Sequence, residues 1–116
     1  MSKAGLVSLA YRDLVNEVRR GPLTAGELAE IVGVKERQIH NWSSGTHNPK
    51  GKAKDRLFEV SYIVKQLKEI YVAEGIEIWL HGRNQSLGGQ RPVDLLRAGE
   101  FRTVLDALER LKSGSM

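Results

Sequence analysis

The amino-acid sequence predicts an all-α protein, a small helical bundle with a helix-turn-helix in its N-terminal half. Apolar residues recur every three to four positions in several segments, which is the spacing of one face of an α-helix. No Asn-Gly or Asp-Gly pair separates two alternating apolar runs, so the sequence lacks the usual signal of a β-hairpin. Its 116 residues are 41% hydrophobic and 28% charged, a length and composition that suit one domain or two very small domains sharing a core.

Four amphipathic segments are the predicted helices outside the helix-turn-helix. The first ends at Gly21-Pro22 and has the apolar residues Leu6, Leu9, Ala10, Leu14 and Val18. The second spans 57–73, with Leu57, Val60, Val64, Leu67 and Tyr71, widened by Phe58, Ile63 and Ile70. A short helix is expected from Pro92 to Ala98, with Gly99 as its stop. The last has Phe101, Val104, Leu105, Leu108 and Leu111 and ends at Ser113-Gly114. We expect a linker at 45–54 and a loop at 81–91.

Residues 24–45 have the pattern of a helix-turn-helix. Thr24 and Glu27 form the signature of a capping box, in which each side chain accepts an amide proton of the other residue. Ala29 is small enough for two steeply crossing helices to meet, and Gly33 suits the positive φ of the turn. The remaining apolar residues would form the small core of the motif: Leu28, Val32, Val34, Ile39 and Trp42. The stretch resembles the helix-turn-helix of the phage-repressor (Xre/Cro-like) family, including Trp42-x-x-Gly45 and Pro49. The alternative is a helical hairpin that shares this spacing.

The resemblance implies that the second helix of the motif enters the DNA major groove. With Ile39 and Trp42 turned inward, the opposite face presents Arg37, His40, Asn41 and Ser44, with Lys35 and Glu36 at the N-terminal end. Arg37 suits guanine and Asn41 suits adenine, through paired hydrogen bonds. Lys50, Lys52 and Lys54 follow in the predicted linker, where an ammonium group can meet phosphate. His40 and Ser44 can equally be solvated residues without a contact.

The charge distribution suggests a polyanionic partner, and the small size of one helix-turn-helix suggests a homodimer. Residues 1–56 hold ten Lys and Arg against six Asp and Glu, so the net charge of +4 lies entirely in this half. One helix-turn-helix covers only a few base pairs, so specific binding predicts a homodimer. The wide apolar face of 57–73 either serves that pairing or belongs to the core.

The second half contains a different motif. Its members are Trp79, Asn84, Leu87, Pro92, Asp94, Leu95, Leu96, Gly99, Val104 and Leu105. This pattern is similar to the C-terminal toxin-binding domain of the Xre/MbcA/ParS-like antitoxins, over residues 73 to about 112. Gly82-Arg83 departs from the family, where a proline often precedes the asparagine. From the residues alone, Trp79 and Leu87 would anchor the loop, and the side chain of Asn84 would satisfy loop amides.

The resemblance implies an antitoxin that binds DNA with residues 1–56 and a toxin with residues 57–116. Its cognate toxin would be a RES-domain protein that consumes NAD+, and the antitoxin would block the active-site entrance sterically. The expected toxin-binding residues are those of the last helix and tail: Arg102, Glu109, Arg110, Lys112, Ser113 and Gly114. The DNA-binding half would repress the operon encoding both proteins, within a larger toxin–antitoxin hetero-oligomer. The same last helix can instead close its own core.

The sequence also argues against metal-binding proteins, enzymes, and membrane or secreted proteins. It has no cysteine, and the spacing of His40, His47 and His81 fits no metal motif. No catalytic constellation is recognisable, so we expect no enzyme activity and no cofactor. A third hypothesis, an NAD-handling enzyme, rests only on Gly82, Gly88 and Gly89, which lack the preceding strand of a phosphate loop. No membrane span or secretory signal is recognisable, so a cytoplasmic location is the expectation. A stand-alone transcriptional regulator, with a dimerising or ligand-sensing second half, remains the main alternative.

Overall fold

The computed structural model describes residues 3–19 and 21–114, with side chains from Ala10 onward. Within these ranges the chain forms seven α-helices and no strand, which confirms the predicted all-α fold. The helices are α1 (Lys3–Arg19), α2 (Ala25–Val32), α3 (Glu36–Ser44), α4 (Gly51–Lys68), α5 (Ala73–His81), α6 (Pro92–Arg97) and α7 (Phe101–Lys112), with a 3-10 turn at Gln85–Leu87. None of the helices in the described part is long and apolar enough to span a bilayer.

The helix α1 buries a narrower stripe than the sequence predicted. Val18 lies in the core as predicted, Val15 is buried although it was not predicted, Leu14 is half-buried, and Ala10 is exposed, contrary to prediction. The side chains of Leu6 and Leu9 lie outside the described residues. The C-terminal half of α1 packs on α3, and Arg19 Nη1 donates to the Ser43 hydroxyl at 2.7 Å. Among the described side chains of α1, Val15 and Val18 are buried in the core, and Tyr11 packs against it.

The helix-turn-helix forms as its residues predict. The Thr24 hydroxyl accepts from the Glu27 amide at 3.1 Å, and the Glu27 carboxylate accepts from the Thr24 amide at 2.9 Å. Gly33 ends α2 with φ of 82°, a left-handed conformation that favours glycine. Ile39 and Trp42 are buried, at 0% and 3% exposure. The inward face of α3 is thus the predicted one.

The central helix α4 differs from the predicted 57–73 segment at both ends. It begins at Gly51, inside the predicted 45–54 linker, because Lys50 is extended and the following lysines form a polar first turn. It ends at Lys68, since the amides of Ile70 and Tyr71 both donate to the Leu67 carbonyl in a tight turn before α5. The boundary between residues 56 and 57 thus lies within one continuous helix.

Only part of the predicted wide apolar face of this segment lies in the core. Ile63 is fully buried, but Phe58 and Ile70 are 46% and 38% exposed. Phe58 instead meets the ring of Tyr11 at the edge of α1, with ring centroids 5.9 Å apart. Ile70 lies beyond the end of α4. Neither side chain therefore belongs to the core of the single chain, and the alternative that this face serves pairing stays a prediction.

The C-terminal helices complete the same apolar core. Pro92 opens α6 as predicted, and Gly99 ends it with φ of 82°. The predicted 81–91 loop is partly ordered, because α5 extends through His81 and the 3-10 turn occupies its middle. Asn84 Oδ1 accepts from the amide and the hydroxyl of Ser86 at 3.0 and 2.6 Å, as its turn-mimicking role predicted. Buried residues of both halves form one continuous cluster.

The capping box predicts a measurable loss of stability when its hydroxyl is removed. Thr24→Ala leaves the Glu27 amide without its side-chain acceptor, and we expect the free energy of unfolding to fall by about 1 kcal/mol. Thr24→Ser keeps the hydroxyl and should stay close to the unsubstituted chain. Urea denaturation followed by circular dichroism measures both variants, and equal loss in the two would contradict the role of the hydroxyl.

Candidate functional site

The first candidate surface is the outer face of α3, the second helix of the helix-turn-helix. Its inner face packs on α1 and α2, so the opposite side chains are displayed to solvent. The exposed predicted residues are Lys35, Glu36, Arg37, His40 and Ser44, and Asn41 is half-buried among them. The structure therefore brings together on one surface all six residues that were predicted on this helix.

Two further side chains join this surface. An open groove of about 600 Å³ is lined by Val34, Lys35, Arg37, Gln38, Asn41 and His47. Gln38 and His47 were not predicted. Helical spacing was the missed signal for Gln38, since it lies three positions from both Lys35 and Asn41. His47 follows the end of α3, and no periodic pattern could place it.

Hydrogen bonds within the chain engage part of this surface. The Ser44 hydroxyl donates to the Asn41 carbonyl at 3.1 Å and lies 2.8 Å from the Thr46 hydroxyl. His40 Nε2 lies 3.5 Å from a carboxylate oxygen of Glu36, one turn earlier on α3. Ser44 is therefore held as a helix-end residue, whereas Arg37 extends from the exposed face.

Lysines flank this surface at the start of α4. Lys50 is exposed and extended immediately before the helix, and Lys52 is exposed in its first turn. Lys54 is half-buried. The first amides of a helix and nearby ammonium groups both favour an anion such as phosphate.

The second candidate surface is the outer side of α7. The inner side of this helix closes the core with Val104, Leu105, Ala107 and Leu108, so the alternative expected from the sequence holds for that side. Arg102, Glu109 and Arg110 remain exposed. Arg102 lies 3.9 Å from Asp106, and Arg110 donates to the Ser86 carbonyl at 3.4 Å. One helix thus both completes the core and displays charge.

The end of α7 is fastened to α4. The Lys112 ammonium donates to the Gln66 side chain and lies 3.3 Å from a Glu69 carboxylate oxygen. The Ser113 hydroxyl donates to the Arg110 carbonyl at 3.0 Å, and Gly114 follows it, exposed, with φ of 77°. The predicted toxin-binding residues therefore include some that also hold the end of their own helix.

A shallow groove between α4 and α7 adjoins this end. It has a volume of about 380 Å³ and is lined by Tyr62, Gln66, Leu105, Leu108, Glu109, Lys112 and Ser113. Tyr62 is 47% exposed. Its position was not predicted because it lies on α4, outside the C-terminal motif.

The structure offers no support for a phosphate-binding glycine loop. The amides of Gly82, Gly88 and Gly89 donate to the carbonyls of Ile78, Gln85 and Asn84, respectively. These amides are consequently engaged within the chain. Among the described residues, no group of three or more His, Cys, Asp or Glu side chains is arranged to hold a metal ion.

Known proteins resemble this chain both in its C-terminal domain and along most of its length. Residues 71–114 match the antitoxin Xre/MbcA/ParS C-terminal toxin-binding domain. The mycobacterial cidal antitoxin MbcA of Mycobacterium tuberculosis is 30% identical over 97 residues, covering 84% of this chain and 86% of MbcA. The MbcA of Mycobacterium bovis shows the same identity and coverage.

A solved structure extends the similarity to the whole fold. A chain of the M. tuberculosis MbcT–MbcA toxin–antitoxin complex superposes with a TM-score of 0.77 and 27% sequence identity, covering 90% of this chain and 96% of that chain. The sequence similarity therefore spans the helix-turn-helix as well as the C-terminal domain. The chain belongs to the Xre/MbcA/ParS antitoxins, a family of inhibitory proteins and not of enzymes.

Proposed function

We propose that the chain neutralises a RES-domain toxin that consumes NAD+ and represses its own operon by binding operator DNA. The observation that carries this proposal is the union, in one core, of a helix-turn-helix with a displayed second helix and a toxin-binding domain of the antitoxin family. The DNA-binding region is residues 1–56 and the toxin-binding region is residues 57–116. Both operator DNA and NAD+ are available in the cytoplasm, where the chain would act.

The exposed face of α3 supports base recognition in the major groove. Arg37 is exposed near the N-terminal end of the helix, where helix-turn-helix proteins approach base edges. Its guanidinium suits the two acceptors of guanine, and the amide of Asn41 suits adenine. Glu36 either accepts from a cytosine amino group or repels phosphate at wrong sites. Gln38 adds a second amide on the same face.

The flanking lysines support phosphate binding. Lys35 precedes α3, and Lys50 and Lys52 stand at the start of α4, so both elements begin beside exposed ammonium groups. Such contacts hold the orientation of a protein on the duplex without reading its sequence. A homodimer would place two α3 helices on half-sites about 34 Å apart. Toxin molecules that bridge antitoxin copies would strengthen this binding through multivalency.

The outer side of α7 supports inhibition by obstruction. Its charged side chains project from a helix that is already anchored on α4 and α6, next to the groove containing Tyr62. A toxin that turns over NAD+ needs an open path to its active site. A charged helix laid across that path stops access without any chemistry by the antitoxin.

Removal of the two base-reading side chains should weaken operator binding. We expect Arg37→Ala with Asn41→Ala to reduce affinity for the operon's own promoter fragment by at least about tenfold, since each paired contact contributes roughly 1–3 kcal/mol. Fluorescence anisotropy measures the affinity, and Lys65→Ala on the exposed side of α4 is the matched control. Inhibition of the toxin should be unchanged. Equal loss of DNA binding and toxin inhibition would contradict two separate surfaces.

Phosphate binding predicts a steep dependence of operator affinity on salt. If Lys35, Lys50 and Lys52 each meet one phosphate, the slope of log affinity against log salt is about −2.7 per subunit. Lys50→Ala with Lys52→Ala should bring the slope to about −0.9. The same anisotropy titration between low and physiological salt measures it, with Lys65→Ala again as the control. A flat response of the unsubstituted chain would contradict operator binding.

Exchange of charge on the outer side of α7 should weaken inhibition of the toxin. Glu109→Lys with Arg110→Glu preserves net charge and the buried side of the helix. We expect half-inhibition of NAD+ consumption by the co-encoded toxin to need about tenfold more antitoxin. Arg12→Glu with Asp13→Arg, the same exchange of adjacent charges on α1 and outside the toxin-binding region, is the control and should leave inhibition unchanged.

The alternatives give distinct results in this experiment. Unchanged inhibition by the exchanged variant would place the toxin contact away from these residues. A co-encoded partner that leaves NAD+ intact would reject the RES-domain assignment. A chain that binds the promoter but captures no co-encoded partner would favour the stand-alone regulator.

A further inference from the structure

A cluster of charged side chains joins the helix-turn-helix to the toxin-binding half. We name it the Glu27 cluster, and its members are Glu27 and Glu30 on α2, His81 on α5, and Asp94 and Arg97 on α6. His81 Nε2 lies 2.7 Å from Glu27 Oε2, and Arg97 Nη2 lies 3.7 Å from the same oxygen. Arg97 also lies 3.0 Å from Glu30 and 2.9 Å from Asp94. Three helices from both halves therefore meet at one set of ion pairs.

Both ring nitrogens of His81 face oxygen atoms that accept hydrogen bonds. Nδ1 lies 2.8 Å from the Glu77 carbonyl, and Nε2 lies 2.7 Å from the Glu27 carboxylate. A neutral imidazole has one N–H group, so it can satisfy only one of these two acceptors. The imidazolium has two N–H groups and satisfies both. The geometry therefore favours the protonated ring.

The electrostatic surroundings agree with this geometry. Partial burial by itself would lower the pKa of His81, but the Glu77 carbonyl and the Glu27 carboxylate outweigh it and raise that pKa. Partial burial would likewise raise the pKa of Glu27, but the Thr24 amide, His81 and Arg97 outweigh it and lower that pKa. Each partner thus favours the charged form of the other.

The remaining charged groups around His81 come from four helices. Glu77 on α5 favours the imidazolium, Glu74 on α5 lines the same groove, and Glu30 on α2 is paired with Arg97. Arg97, with its partner Asp94 on α6, and Arg19, which lines the same groove from α1, are the nearby cations. Arg97 is shared among three carboxylates, and Arg19 donates to Ser43. The balance of charge at the ring is therefore negative.

Through Glu27, the cluster bears on the position of α2 and of α3. Glu27 is the third residue of α2 and half of its capping box, and α2 packs directly on α3. The opposite end of α2 is held by Arg56 of α4, whose Nη1 lies 3.5 Å from the Ile31 carbonyl. Arg56 also lies against the turns at Gly33 and Gly99. Together with α1, which packs on both α3 and α4, the two held ends of α2 thus set the orientation of α3 relative to the C-terminal half.

We propose that His81 is a positioning residue for DNA recognition, which in its protonated form holds α2 and thereby α3 at the orientation that binds the operator. This rests on the proposed DNA-binding function. Two α3 helices must meet half-sites at a fixed spacing. If the Glu27 cluster is weakened, α3 becomes more mobile, and binding then costs more conformational entropy. Operator affinity should therefore fall as pH rises through the pKa of His81.

The two pKa shifts determine the pH range in which the Glu27 cluster stabilises the fold. Because the folded-state pKa of His81 is raised, its contribution is complete below the ordinary imidazole value of about 6.5 and is lost as pH rises through the folded value. Because that of Glu27 is lowered, its contribution is complete above the ordinary carboxyl value and is lost as pH falls through the folded value. The cluster is strongest between these two ordinary values.

The test combines a direct titration with operator binding. The pKa of His81, measured from its ring carbon and proton shifts by NMR, should exceed 6.5 and should fall in Glu27→Gln. Glutamine at this position preserves the capping box, so this variant removes the charge and leaves the helix start intact. An unshifted His81 pKa in the unsubstituted chain would overturn the imidazolium joint.

Operator affinity is then compared between the unsubstituted chain and His81→Gln from pH 6 to pH 8.5. We expect a three- to tenfold advantage of the unsubstituted chain at the acid end, disappearing at the alkaline end, since one charge-assisted hydrogen bond is involved, weakened by partial exposure. Comparison of the two profiles cancels every pH effect that both proteins share. Glu27→Gln provides the second profile if His81→Gln fails to fold.

Failure of the positioning role of His81 and failure of the proposed DNA-binding function give different results. Operator binding by both proteins with parallel pH profiles would overturn the positioning role and leave the proposed function standing. No operator binding by the unsubstituted chain at any pH would reject the DNA-binding function and the role of His81 with it.

Discussion

Burial of Ile39 and Trp42 is the constraint on which the candidate DNA surface depends. Because both side chains are almost fully enclosed, the rotation of α3 about its own axis is fixed, and so is the set of residues that faces outward. Gly33 permits the tight turn that delivers α3 to this position. The chemistry of the displayed face, with its guanidinium and amide groups, can then vary without altering the scaffold.

Because α3 is fixed against α2, the contacts between α2 and the C-terminal half also bear on the position of α3. The helix α2 is in contact with α3, α4 and α6, so it belongs to both the helix-turn-helix and the C-terminal bundle. Its two ends are held by polar contacts from the second half, at Glu27 and at the Ile31 carbonyl. Movement of the C-terminal half would therefore reach α3 through α2, because α2 contacts both.

Local rules made much of the fold predictable, and long-range contacts account for what was missed. The capping box of Thr24 and the stop at Gly99 depend on residues close in sequence, as does the displayed face of α3. The start of α4 was missed because Gly51 and its lysines have the composition of a loop. The contact of His81 with Glu27 joins residues 54 positions apart, which helical periodicity cannot reveal. The self-contacts of Lys112 were hidden for the same reason.

The anchoring of α7 bears on how an antitoxin of this kind would bind. A segment that folds only on contact must lose conformational freedom at that moment, which weakens binding for a given area. Here the apolar side of α7 is already buried against the core, and Lys112 fastens its end to α4. Its exposed side chains are consequently held at fixed spacing before any partner arrives. The contacts that restrain the end of α7 would thus favour the toxin binding proposed above, because part of the loss of conformational freedom has already occurred on folding.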